Sequence, residues 1–308
     1  MNTQSNVARE ALDSQQAAPA VMSVTRPFYW SIRRELWENR WIYIAPLAVA
    51  AVFLFGFLVT AGHHVRTQMR AGLTVDPGKQ RAAILMPYEI AAGLIMVTVF
   101  ILTVFYCLEA LHSERRDRSI LFWKSLPVSD ITTVLSKATI PCALQLFAFA
   151  ITFVTQFIML LLSSAILAGS GLSLATLWRQ VAFYSTSLGL LYHLVTVHIL
   201  WYAPIYGWLL LVSAWARRAP FLWAVLPPVA IIFLEKLVFD TTYFAALLQY
   251  RFSGPETPSF NRGSGSMGYM THFNLGNFLA TPGLWMGLLV AGGFLFAAIR
   301  LRRHRGPN

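Results

Sequence analysis

The sequence predicts an all-α, polytopic membrane protein. It would have six transmembrane helices and an N-terminal amphipathic interface helix. Three observations predict this. The 308 residues are 56% hydrophobic and only 12% charged, with a mean hydropathy of +0.57, whereas a soluble domain carries roughly 25% charge. The apolar residues fall in uncharged runs long enough to cross a bilayer, about 20 residues each. The basic residues behind the net charge of +11 sit at the ends of those runs and not on one face. That placement is the pattern of membrane topology and not of nucleic-acid binding. A soluble enzyme, a secreted disulfide scaffold and a disordered chain are poor fits. Cys107 and Cys142 lie in apolar runs, so they read as buried thiols and not as a disulfide framework.

Residues 1–25 are rich in Gln, Ala, Ser and Asn, with Arg9 the one basic residue. They lack the basic start, apolar core and small-residue site of a signal peptide. They read as a disordered tail. Residues 26–40 follow as an amphipathic helix. Pro27 suits a helix start. Tyr29, Ile32 and Leu36 recur on one face, and Trp30, Trp37 and Trp41 form an adjoining stripe. Arg33, Arg34, Glu35, Glu38 and Arg40 supply the polar side. Such a helix suits the membrane interface. The plainer reading is a basic flank that only fixes topology.

Residues 41–308 make the six-span domain. Spans are expected near 41–62, 90–111, 139–167, 184–212, 220–239 and 282–299. Between Lys137 and Arg179 lie 41 uncharged residues, and between Arg179 and Arg217 another 37. Each stretch is too long for one span and too short for two. The Gly-Ser segment at 169–173 separates spans three and four, and Pro204 is expected to kink span four. Six spans put both termini on one side. With the N-terminus inside, the inner segments carry sixteen Lys and Arg and the outer ones eight, which predicts cytoplasmic termini. Residues 63–89 are then a polar outer loop. Residues 240–281 are a long one holding two short apolar pieces, Tyr243–Tyr250 and Phe273–Ala280, too short to span and suited to re-entrant or interfacial helices.

The inner loop 112–137 is not a plain connector. Glu114 to Arg118 are charged, and Ile120, Leu121, Phe122 and Trp123 follow before Pro127. Ser119 to Ser125 is long enough for two helical turns with an aromatic surface. Leu126-Pro127 ends that helix, and Ser129 or Asp130 can cap the next. A short aromatic helix in water either docks in a partner's groove or packs on its own membrane domain.

The segment ERRDRSILFWKSLPVSDITTVLSK, Glu114 to Lys137, resembles the first cytoplasmic loop of bacterial ABC transporter permeases of the type-2 class, the type V exporter fold. These show a charged run, a short coupling helix, a Leu-Pro-Val/Leu-Ser step and a Lys before span three. The resemblance implies an external helical hairpin before the last span, and a permease subunit forming the membrane pathway of an exporter in the bacterial inner membrane. It implies two separate ABC ATPase subunits, which bind the ATP and Mg, and a second permease copy or a homologous permease. Arg118, Ser119, Ile120, Leu121, Phe122, Trp123 and Leu126 would be the ATPase-coupling residues. Trp30, Ile32, Arg33, Arg34, Leu36 and Trp37 would form the interface helix against membrane lipid. No G-x-x-x-x-G-K-[ST] string is present, so this chain is not expected to be an enzyme or to hold a cofactor.

Other constellations read as structural. His193 and His198, five apart, should face different ways on an α-helix, about 140° apart. With no H-E-x-x-H string beside them, no metal or haem site is expected. Glu109 and the neighbours Glu235 and Lys236 lie near interfaces and read as paired charges. A secondary carrier or channel would show an internal repeat or broken helices, and no repeat relates residues 41–167 to 184–299. A membrane-embedded enzyme or assembly factor would need convergent polar residues at depth, and this chain has few.

Overall fold

The computed structural model describes residues 25–71, 77–119, 128–168, 173–254 and 275–304. Among these every regular element is helical, and six helices are long and apolar enough to cross a membrane. The chain is an all-α multi-pass membrane protein. The N-terminal tail, most of the expected coupling helix (120–127) and the middle of the outer loop (255–274) lie outside the described residues.

Helix α1 spans Thr25–Glu38. After a two-residue joint, α2 spans Trp41–Ala71 and α3 spans Pro77–Glu109. At 1.5 Å per residue α2 is about 46 Å long, well beyond a hydrocarbon layer of about 30 Å. The expected polar loop 63–89 is therefore mostly helix, and only 72–76 separates the two. The cause is local: His63 to Ala71 contains no Gly or Pro, so nothing ends the helix where hydropathy falls. Pro77 then occupies the first turn of α3, where its missing N–H costs nothing.

A single turn, α4 (His112–Arg116), follows α3. Helix α5 runs over Asp130–Ala168, with Ser129 as its cap: the Thr132 amide donates to Ser129 Oγ at 3.1 Å. The fourth span is segmented. It comprises α6 (Leu174–Val181), a joint at Ala182 with φ 46°, α7 (Phe183–His193), a π-helix over Leu194–Trp201, and α8 (Ala203–Trp215). Helix α9 (Pro220–Phe239) is the fifth span. The expected external pieces are the short helices α10 (Tyr243–Ser253) and α11 (Leu275–Ala280). The last span is α12 (Pro282–His304).

The main core joins α2, α3, α5 and α8 through Ile95, Val99, Ile140, Leu144, Ala148 and Leu210. Around it runs an apolar outer surface, with Phe55 and Val59 on α2, Phe233 and Leu237 on α9, and Leu289 on α12 all exposed. Surface of that kind at this extent is covered by lipid or by another membrane helix. Helix α9 is the extreme case, since of its 20 residues only Ala224 is buried.

Candidate functional site

The densest polar chemistry lies at the end of the bundle that carries α1, α4, the start of α5 and the end of α12. Four carboxylates and three cations make one connected network there. Lys137 Nζ on α5 lies 2.7 Å from Glu35 Oε1 and 3.1 Å from Glu114 Oε1. Arg34 reaches Glu35 at 2.9 Å, Glu38 at 3.3 Å and Glu114 at 3.4 Å. Arg302 on α12 pairs with Glu114 and lies 3.1 Å from Asp130. The Tyr106 hydroxyl donates to Glu35 Oε2 at 3.0 Å. Glu35, Glu114, Lys137 and Arg302 are all buried. Burial is tolerable because each charge has two or more partners, whereas an isolated one would cost several kcal/mol. Partial burial holds the Glu38 carboxyl above the ordinary carboxylate range, and the Arg34 guanidinium pulls it back down.

Local structure explains how these side chains meet. The Leu111 and His112 amides, free at the start of α4, both donate to Ser213 Oγ at 3.0 Å. Arg115 in turn donates to the Ser213 and Ala216 carbonyls at the end of α8, at 3.0 and 2.6 Å. Two helix ends thus satisfy each other's orphan groups, which fixes α4 with Glu114 pointing at Lys137 and Arg302. Arg118 has φ 57°, a left-handed conformation that turns the chain away after α4. It is exposed, and Ser119 Oγ donates to the Glu114 carbonyl at 3.4 Å. Ile120, Leu121, Phe122, Trp123 and Leu126 lie outside the described residues.

On α1, Ile32 and Leu36 pack against the main core, and Trp30 and Trp37 are exposed. Two of its polar residues correct the sequence reading. Glu35, assigned there to the outward polar side, is buried against Lys137, because it follows Ile32 by three residues on the docked face. Arg33 stands apart from the ion network, its guanidinium 5.1 and 5.0 Å from the Trp30 and Trp37 rings.

Three further expectations change. His193 and His198 were expected to face apart. Their rings meet edge-to-face at 5.5 Å, because a π-helix bonds i to i+5 and stacks residues five apart. Glu235 and Lys236 do not pair with each other. Glu235 accepts the Tyr243 and Phe244 amides at 2.7 and 2.9 Å and so caps α10, while Lys236 pairs with Asp240. Glu109 is exposed and has no ion pair among the described residues.

The fourth span is broken, and its break explains the end of the bundle opposite the ion network. Pro204 has no N–H to give, Tyr202 bonds back five residues to Val197, and Ile205 donates to Tyr202. The Trp201 carbonyl loses its helical donor, and Arg251 Nη1 on α10 supplies one at 3.2 Å. Arg251 also donates to the Gly283 carbonyl at 3.0 Å and lies 4.4 Å from the Trp201 ring centre. Between the two ends, α5 buries Gln145, Thr152, Thr155, Gln156 and Ser163. This polar stripe at membrane depth exceeds what the sequence reading allowed. Among the described residues no group of three His, Cys, Asp or Glu could hold a metal.

Comparison with protein-family models, with curated proteins and with solved structures finds no match to this chain.

Proposed function

We propose that this chain is the permease subunit of an ABC transporter, forming the membrane pathway of an ATP-driven exporter in the bacterial inner membrane. In this reading the network end, with both termini, faces the cytoplasm. Separate ATPase subunits dock on the loop 112–137 and supply the energy. One observation carries the reading. Arg302 holds both Glu114 and Asp130, the residues that bracket the loop, and Lys137 ties Glu114 to α1. A force applied to the loop would therefore act on α1, α5 and α12 together and not dissipate in a flexible connector. The sixteen-to-eight basic bias supports the orientation. The exposed length of α9 supports a second permease against it.

The broken fourth span and the polar stripe of α5 favour a second reading, a secondary carrier. Energy dependence separates the two. Trp123→Ala and Phe122→Ala should lower co-purification of the ATPase and its stimulation together, because truncating a central interface aromatic costs about 2 kcal/mol or more. Arg118→Ala should act less, and in a salt-dependent way. If both aromatic variants retain and stimulate the ATPase at the wild-type level, or if transport follows an ion gradient without ATP, the permease reading fails.

A further inference from the structure

Helix α1 divides its charges between two faces. Arg34, Glu35 and Glu38 turn into the ion network. Arg33 is left on the far side, between Trp30 and Trp37, and Arg40 is exposed in the joint before α2. Neither Arg33 nor Arg40 has a carboxylate partner among the described residues. Trp30, Arg33 and Trp37 stand at i, i+3 and i+7, which is one helix face. The rings are open to the surroundings, with Trp30 58%, Trp37 66% and Trp41 74% exposed. Trp41 begins the first span, and Ile44, Leu47, Val52 and Phe55 carry the exposed apolar surface onward along α2. The Arg33 and Arg40 cations therefore lie where an aromatic belt meets a lipid-facing helix, the depth of the phosphate layer.

We propose that Arg33, held between Trp30 and Trp37, is a binding site for the phosphate of an anionic phospholipid. A guanidinium offers a planar pair of donors that matches a phosphate, and the two indole rings at 5.1 and 5.0 Å restrict where it sits. The ring pair leaves the guanidinium edge for the ligand. Among the described residues the cation has no anion to satisfy it, and the membrane surface supplies one. This assignment stands whichever transport reading holds, since it needs only that α1 lie against the bilayer.

The test uses the full-length protein in nanodiscs of phosphatidylcholine mixed equally with phosphatidylglycerol, followed by native mass spectrometry of the lipids retained. The wild type should retain phosphatidylglycerol in excess. Arg33→Gln should lower that preference about five-fold, the loss of one planar, charge-assisted guanidinium–phosphate contact. Arg33→Lys keeps the charge but loses the planar fork, so it should fall between; it also carries the test if the Gln variant does not fold. Arg303→Gln, an exposed cation at the same end without flanking rings, should leave the preference unchanged. Equal retention of both lipids by the wild type, undiminished preference in Arg33→Gln or Arg33→Lys, or an equal loss in Arg303→Gln would overturn the site.

Discussion

Lys137 is the position where the network is most exposed to a single change. Its ammonium serves both Glu35 and Glu114, at 2.7 and 3.1 Å, and it is buried. Lys137→Met keeps the length and the apolar stem and removes only the charge. Four carboxylates already face three cations, so the variant leaves a buried cluster two charges short. Removing one partner of a buried pair typically costs 3–5 kcal/mol, most of it the penalty of the stranded charge. Here Glu35 keeps Arg34 at 2.9 Å and the Tyr106 hydroxyl, and Glu114 keeps Arg302. The loss should therefore fall near the lower end, about 3 kcal/mol. Neutralising the stranded carboxylate should restore part of it, so Lys137→Met with Glu35→Gln should be more stable than Lys137→Met alone. The assay is equilibrium denaturation of the purified protein in a fixed lipid or detergent, run as a double-mutant cycle. A loss below about 0.5 kcal/mol in the single variant, or additive effects in the cycle, would refute the view that Lys137 holds α1 and α4 to α5.

Ser213→Ala removes the acceptor of the Leu111 and His112 amides and should destabilise by about 1–2 kcal/mol in the same assay. At the end opposite the ion network, a Cβ at Gly287 would overlap the Arg251 guanidinium, whereas Gly292 has open space around it. Gly287→Ala should cost about 1–3 kcal/mol. Gly292→Ala should be neutral or stabilising by up to about 1 kcal/mol through helix propensity, and thermal denaturation compares the two. For orientation, a cysteine at Ser266 should be labelled from outside intact cells and one at Ser113 only after permeabilisation; the reverse pattern would invert the topology. Glu in place of Trp30 and Trp37 together should weaken assembly or transport while six-span insertion persists, since burying two indoles at roughly 25 cal/mol per Å² is worth a few kcal/mol. Full activity in that double variant would remove the interface role of the stripe.

The sequence alone determined the all-α membrane fold, the six spans and the amphipathic helix, and narrowed the cap of the third span to Ser129 or Asp130. Each of these is a local property: hydropathy summed over about 20 residues, a 3.6-residue period, or a hydroxyl three residues before an amide. The candidate site was mostly illegible for the opposite reason. Glu114 meets Lys137 nearby, but it meets Arg34 and Arg302 across 80 and 188 residues. No local pattern marks which acid will find which base, because ion pairing is fixed by distance in space. Glu35 carried one usable signal, its place three residues after Ile32 on the docking face. The histidine geometry failed for another reason: an α-helical rotation was applied to a stretch that Pro204 and the packing of α5 hold in a π-helix. Tertiary structure alone decided where a broken helix gives up a carbonyl and which distant side chain, Arg251, satisfies it, because in hydrocarbon an orphan carbonyl has no water to turn to.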